Sequence, residues 1–78
     1  MVRRDGAEMR KERMQAIAQI VQRNLVKNGE IPLTQTLAVL QYEFGLTKEK
    51  LTEYLQVLEN VGRFTLHYES DKIRKIPS

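Results

Sequence analysis

Side chains that suit nucleic-acid recognition are concentrated between residues 47 and 60. Thr52, Gln56 and Asn60 can hydrogen-bond to base edges, and Gln and Asn can each pair with adenine through two hydrogen bonds. Lys48 and Lys50 precede them at the start of the same apolar-periodic segment, where a helix dipole also favours anions such as phosphate. The segment therefore predicts a helix whose exposed face can read a duplex.

Acidic residues in the same segment oppose this interpretation. Glu49 and Glu53 fall on the predicted exposed face, and with Glu59 they leave the helix with a net charge of −1. Glu can accept a hydrogen bond from cytosine, but each carboxylate also repels phosphate. This charge balance is the strongest argument from the sequence against tight DNA binding through this helix.

A second group of candidate residues lies near the C-terminus. Four cations, Arg63, Lys72, Arg74 and Lys75, fall within one short segment, where Thr65 and His67 can add hydrogen bonds to phosphate. The alternative is a solvated strand edge that Lys and Arg protect from aggregation. Phosphate contact is favoured, because a second basic cluster at the N-terminus could extend the same footprint; it comprises Arg3, Arg4, Arg10, Lys11 and Arg13.

Enzymatic chemistry finds little support in the sequence. There is no Gly-rich phosphate loop and no nucleophile beside a base, and Glu49 and Glu53 are better explained as solvated charges on a helix. His67 is the only histidine and the chain has no cysteine, so a metal site has no ligand set. We therefore expect no catalysis, no metal and no cofactor.

Composition predicts one small cytoplasmic domain. Its 78 residues are 41% hydrophobic and 29% charged, which suits a single core. The absence of cysteine fits a reducing compartment, and no apolar run is long enough to span a membrane. The net charge is +3, with basic residues at both ends. Residues 1–9, with Gly6 and mixed charges, predict a flexible basic arm before a domain at 10–78.

Hydrophobic periodicity predicts three helices. The first starts near Ala7 to Arg10 and ends at Asn28-Gly29, and a short extended segment follows at Ile31-Pro32-Leu33. Thr34 is expected to cap the start of the second helix, and Gly45 to end it. Thr47 is expected to cap the start of the third helix, and Gly62 to end it. The predicted buried faces are Met14, Ile17, Ala18, Val21 and Leu25 in the first helix; Leu33, Leu37, Leu40 and Phe44 in the second; and Leu51, Tyr54, Leu55, Leu58 and Val61 in the third.

After Gly62 the spacing of the hydrophobic residues changes from a helical period to a period of two residues. Phe64, Leu66 and Tyr68 alternate with Arg63, Thr65 and His67, which is typical of a half-buried strand. Residues 69–72 predict a turn, and residues 73–76 a returning strand. We therefore predict an α+β fold, mainly helical, with a three-helix core, a short strand and a C-terminal β-hairpin.

This order of elements, from Arg10 to Ile76, resembles the winged-helix family of DNA-binding domains. The run from Gly45-Leu46-Thr47 through the apolar helix to Gly62-Arg63-Phe64 is similar to the segment that joins the third helix to the wing in that family. The resemblance implies a third helix in the major groove and a wing on phosphates. The resemblance is to a pattern of residue types, so it indicates the fold without naming a subfamily. It does not by itself imply DNA binding, because winged helices also serve as protein-docking modules.

Two functions follow as hypotheses. The first is a small transcriptional regulator that binds double-stranded DNA through Thr47, Lys48, Lys50, Thr52 and Gln56 and through the hairpin cations. The alternative is a module that docks a partner protein through the third helix or through Val39 and Tyr42.

A homodimer through the first helix would fit the DNA hypothesis. Several apolar residues of the first two helices lie outside the predicted buried faces; they are Ala16, Ile20, Val26, Val39 and Tyr42. Most of them are expected to be buried in the three-helix core, and any that are exposed together would form a dimerisation patch.

Overall fold

The computed structural model describes residues 6–77 and confirms the predicted α+β architecture. The elements in chain order are α1 (Gly6–Asn28), β1 (Glu30–Pro32), α2 (Leu33–Phe44), α3 (Lys48–Asn60), β2 (Thr65–His67) and β3 (Lys72–Arg74). Helix α1 starts at Gly6, so the last four residues of the predicted arm are helical, whereas Arg3 and Arg4 lie outside the described residues. No helix among residues 6–77 is long and apolar enough to cross a membrane.

The core lies where the three helices meet the inner face of the sheet. Ile17, Leu40 and Leu51, one from each helix, are fully buried, and Phe64 and Ile73 join them from the hairpin segment. The predicted buried faces of the helices are confirmed except at Met14 and Phe44, which are only partly buried, and at Val61, which is exposed. Together these contacts bury the apolar face of every helix, which is the main source of stability in a domain this small.

Two residues predicted to face the core are exposed instead. Val61 is 65% exposed because α3 ends at Asn60, so the spacing of three from Leu58 no longer places it on the buried face. Tyr68 is 54% exposed because β2 ends at His67, after which the chain turns and the strand alternation stops. The expectation that the other apolar residues of the helices are mostly buried is wrong: Ile20 packs against the core, but Val26, Val39 and Tyr42 are exposed.

Helix α3 is bounded as the sequence predicts. The Thr47 hydroxyl accepts a hydrogen bond from the amide of Lys50 at 3.2 Å, which is an N-cap. At the other end Gly62 has a φ of +86°, and its amide donates to Glu59 while the amide of Arg63 donates to Leu58. This pair of bonds is a Schellman motif, and it redirects the chain from α3 into the hairpin.

The predicted cap of α2 is wrong. Thr34 lies inside the first turn of α2, and its hydroxyl donates to Asp71 Oδ1 instead of accepting from a later amide. The amide of Thr34 donates to the same oxygen, and the amide of Leu33 donates to the Asp71 carbonyl. Helix α2 is therefore capped from the hairpin turn, because Pro32 before it has no side chain able to cap.

The sheet is antiparallel, with the strand order β1-β3-β2. Ile31, Ile73 and Leu66 lie opposite one another and form its inner, buried face. Their neighbours along each strand point outwards, because side chains alternate across a strand. The outer face of the sheet is thus formed by polar residues and one proline, which are Glu30, Pro32, Thr65, His67, Lys72 and Arg74.

Candidate nucleic-acid interface

The exposed face of α3 carries the predicted reading residues. Leu51, Leu55 and Leu58 are buried, which turns Gln56 and Asn60 to the solvent on the opposite side of the helix. Because the buried stripe fixes the rotation of α3, these amide side chains are presented on a rigid element. That arrangement suits hydrogen bonding to a ligand that lies along the helix.

The two cations at the start of α3 differ in their partners. Lys50 Nζ lies 3.6 Å from Glu53 Oε2, an exposed pair one turn apart that offsets part of both charges. Lys48 is exposed and makes no ion pair among the described residues. Lys48 is therefore the stronger candidate for a phosphate contact at this end of the helix.

Thr52 is less available than its position suggested. It is half-buried, and its hydroxyl donates to the carbonyl of Lys48 at 2.8 Å. The hydroxyl hydrogen is then committed to the helix backbone, so the oxygen can only accept from a ligand. In this conformation Thr52 could accept from an amino group of cytosine or adenine but could not donate to a base.

A hydrogen bond joins α3 to the hairpin. Gln56 Nε2 donates to the phenolic oxygen of Tyr68 at 3.2 Å. Tyr68 is the first residue of the hairpin turn, so the exposed face of α3 continues into the hairpin as one surface. The bond occupies one amide hydrogen of Gln56 and leaves its carbonyl oxygen and second hydrogen for other partners.

One of the three acidic residues of α3 has a structural role. Glu59 Oε2 accepts a hydrogen bond from the amide of Leu66 at 2.8 Å, which satisfies a backbone donor of strand β2. Glu59 is thus directed at the hairpin backbone, leaving Glu49 and Glu53 as the acids of the exposed face. Its charge weighs less against DNA binding than the sequence alone indicated.

The outer face of the sheet brings two of the predicted hairpin cations together around a carboxylate. Lys72 Nζ donates to Glu30 Oε2, and Arg74 Nε lies 3.4 Å from Glu30 Oε1. The hydrogen bond from Lys72 holds the pKa of Glu30 below its ordinary value; desolvation opposes this shift, and the charges of Lys72, Arg74 and His67 reinforce it. Glu30 therefore occupies the position that a phosphate would need.

Thr65 and His67 lie beside this cluster on β2. Their side chains are 3.0 Å apart, from Thr65 Oγ1 to His67 Nε2, and the Thr65 hydroxyl also lies 3.3 Å from the carbonyl of Arg74. The side chains of Thr65 and His67 thus form a hydrogen-bonded pair, which restricts their orientation.

The other two hairpin cations lie elsewhere. Arg63 and Lys75 line a shallow depression together with Gln22, Val26 and Ile76. Backbone contacts fix both residues there, since Gln22 Nε2 donates to the carbonyl of Arg63 and the amide of Lys75 donates to the carbonyl of Gly29. The four cations of the hairpin segment therefore form two separate pairs, one on the sheet and one against α1.

Sequence reasoning missed Glu30 and Tyr68 as members of the site. Glu30 lies 42 residues from Lys72, and the opposite signs of their charges were the only signal for their pairing. The sequence placed Lys72 in the turn and Glu30 before the short strand, whereas the structure places both in paired strands. Tyr68 was predicted to be buried. No group of three or more metal-ligating side chains is present within the described part of the chain.

Comparison of the chain with models of protein families, with curated proteins and with solved structures found no match.

Proposed function

We propose that this protein binds double-stranded DNA and acts as a small transcriptional regulator of the winged-helix type. The observation that carries the proposal is the hydrogen bond between Gln56 and Tyr68, because it makes the polar face of α3 and the hairpin one continuous surface. In the proposed complex α3 enters the major groove, where Gln56 reads base edges. Lys48 contacts a phosphate near the helix start.

The hairpin supplies the second part of the proposed contact. Lys72 and Arg74 are the cations proposed to meet phosphate, and Arg63 and Lys75 form a second, separate basic pair against α1. Binding requires that phosphates compete with Glu30 for its two cations, so we expect modest affinity for random DNA and a strong dependence on salt.

The test is a fluorescence-anisotropy titration with random-sequence duplex DNA at low and near-physiological salt. We expect affinity to fall steeply as salt rises, and Arg74→Ala to weaken binding to all sequences alike and lower the salt slope by about one. Arg23→Ala is the matched control, because Arg23 is an exposed arginine on α1 that lies outside the proposed surface. Absence of binding by the wild type at low salt would refute the proposal.

Docking to another protein is the second candidate function. It is favoured by one observation: Val39 and Tyr42 on α2 are 48% and 89% exposed, whereas soluble proteins commonly place charged residues on such a surface. Apolar docking differs from DNA binding in being insensitive to salt, so the same titration format with a labelled partner separates the two functions.

A homodimer through the first helix remains a prediction. Helix α1 carries five cations and two acids, Glu8 and Glu12. A two-fold contact between two such helices would bring like charges together, which weakens a dimer at low salt. The charge pattern therefore favours a different surface for self-association.

A further inference from the structure

A cleft of about 300 Å³ between α1 and α2 has no charged residue in its lining. Its lining includes Ile20 and Asn24 from α1, Gln35, Thr36 and Val39 from α2, and Pro32 from β1. Because 29% of the chain is charged, a solvent-facing cleft without a single charge is unexpected. The composition instead suits a surface that is covered by another molecule.

The exposed face of α2 continues this uncharged surface. Ala38 and Tyr42 are exposed beside Val39, and Glu43 is the only charged residue of the entire helix. Surface helices normally carry charged residues on the side opposite the core. The exposed side of α2 therefore carries little charge and includes two large apolar side chains that the fold does not cover, Val39 and Tyr42.

The same face holds both a projection and a depression. Val39 lines the cleft, and Tyr42 stands one turn further along α2 with 89% of its surface exposed. Gln35, four residues before Val39, lines the cleft as well. At 1.5 Å per residue, Tyr42 lies about 4.5 Å beyond Val39 along the helix axis and Gln35 about 6 Å before it.

We propose that this face binds a second copy of the chain, with two α2 helices antiparallel across a two-fold axis near Val39. In that arrangement Tyr42 of each copy lies over Gln35 and the cleft of the other, so each projection meets a depression. The face carries almost no charge, so two copies meet there without the repulsion expected between two α1 helices. The proposal is independent of DNA binding, because it uses none of the side chains assigned to DNA.

The test is sedimentation equilibrium of the full chain from low micromolar to millimolar concentration. We expect the mass to rise reversibly from the 9.1 kDa of one chain to twice that value. Val39→Glu and Tyr42→Glu should each weaken the dimer about 30-fold or more, which is the effect of losing an interface anchor. Val26→Glu is the matched control: Val26 is an exposed valine outside the cleft, and its replacement should leave the dimer unchanged.

Circular dichroism of each variant shows whether the fold survives, as expected for substitutions at exposed positions. Concentration-dependent amide shifts of the wild type, confined to the residues around Ile20, Val39 and Tyr42, give a second readout that needs no variant. A monomeric mass at every concentration overturns the proposal. A dimer that persists in folded Val39→Glu, or that Val26→Glu disrupts instead, also overturns it.

Discussion

The carboxylate of Asp71 in the hairpin turn accepts hydrogen bonds from both the amide and the hydroxyl of Thr34, at 3.1 and 2.6 Å, across 37 residues of sequence. The Asp71 carbonyl also accepts from the amide of Leu33. The first turn of α2 is thereby anchored to the hairpin, so the turn lies against the helical core instead of projecting from it. Asp71 makes these contacts from the left-handed conformation, with a φ of +56°.

Replacing Asp71 with Ala should lower the free energy of unfolding by about 1–2 kcal/mol, because α2 loses its cap and Ala tolerates a positive φ poorly. Asp71→Asn should cost less, since Asn keeps an acceptor oxygen and adopts this conformation more readily. Urea denaturation measures both. Glu69→Ala, a change at an exposed position in the same turn, is the control, and equal losses for Glu69→Ala and Asp71→Ala would contradict the capping role.

Acidification should remove the stabilisation that Glu30 provides. The pKa of Glu30 is lowered in the folded protein, so its contribution is fully present above the pKa of an unfolded glutamate and is lost as pH falls through the lower folded value. We expect the melting temperature of Glu30→Gln to fall less than that of the wild type between neutral pH and about pH 3. Thermal melts across this range test it, with Glu69→Gln as control; an advantage of the wild type that persists at low pH would contradict the assignment.

The same carboxylate should restrain DNA binding. Glu30→Gln releases Lys72 and Arg74, and because exposed ion pairs of this kind are weak, affinity for random duplex DNA should rise only about two- to fivefold at low salt. Glu69→Gln removes the same charge from the hairpin turn without releasing either cation. If both variants bind equally well in anisotropy titrations, net charge and not the pairing of Glu30 accounts for the effect.

Tyr68 should set the orientation of Gln56 and thereby sequence preference. Tyr68→Phe removes the acceptor of the 3.2 Å hydrogen bond, so discrimination at one base pair should fall about tenfold while affinity for random DNA stays unchanged. Gln56→Ala should have a similar effect, and the double variant little more. Competition binding with a selected site and its single-base variants measures this. Tyr42→Phe, the same change on α2, should leave discrimination intact, and an equal loss there would rule out the proposed role of Tyr68.

The buried hydroxyl of Tyr54 should destabilise the fold. Tyr54 is 4% exposed, and its hydroxyl has no hydrogen-bond partner among the described residues, so burying it is unfavourable. Tyr54→Phe should keep the packing and raise the free energy of unfolding by up to about 1 kcal/mol. Urea denaturation with exposed Tyr42→Phe as control tests this, and a loss of more than about 1 kcal/mol would reveal a partner for the hydroxyl.

The sequence by itself determined the helices, their buried faces and most of their ends. These features are local: apolar residues three and four apart select a helix face, glycines at 29, 45 and 62 take positive φ, and the Thr47 cap needs only the residue three positions later. The switch to a period of two after Gly62 likewise indicated the hairpin. Such signals depend on neighbouring residues, so they can be read without knowing how the elements assemble.

The tertiary structure decided which charges and polar groups meet. Pairing of β1 with β3 places Glu30 beside Lys72 and Arg74, and docking of the hairpin turn replaces the expected Thr34 cap with Asp71. Each of these contacts joins residues that are far apart in the sequence. The sequence contains many other residues whose charge or hydrogen-bonding groups would suit Glu30 or Thr34 equally well. The register of the sheet and the packing of the hairpin against α2 select one partner for each group. Both depend on how the whole core packs, so neither can be read from neighbouring residues.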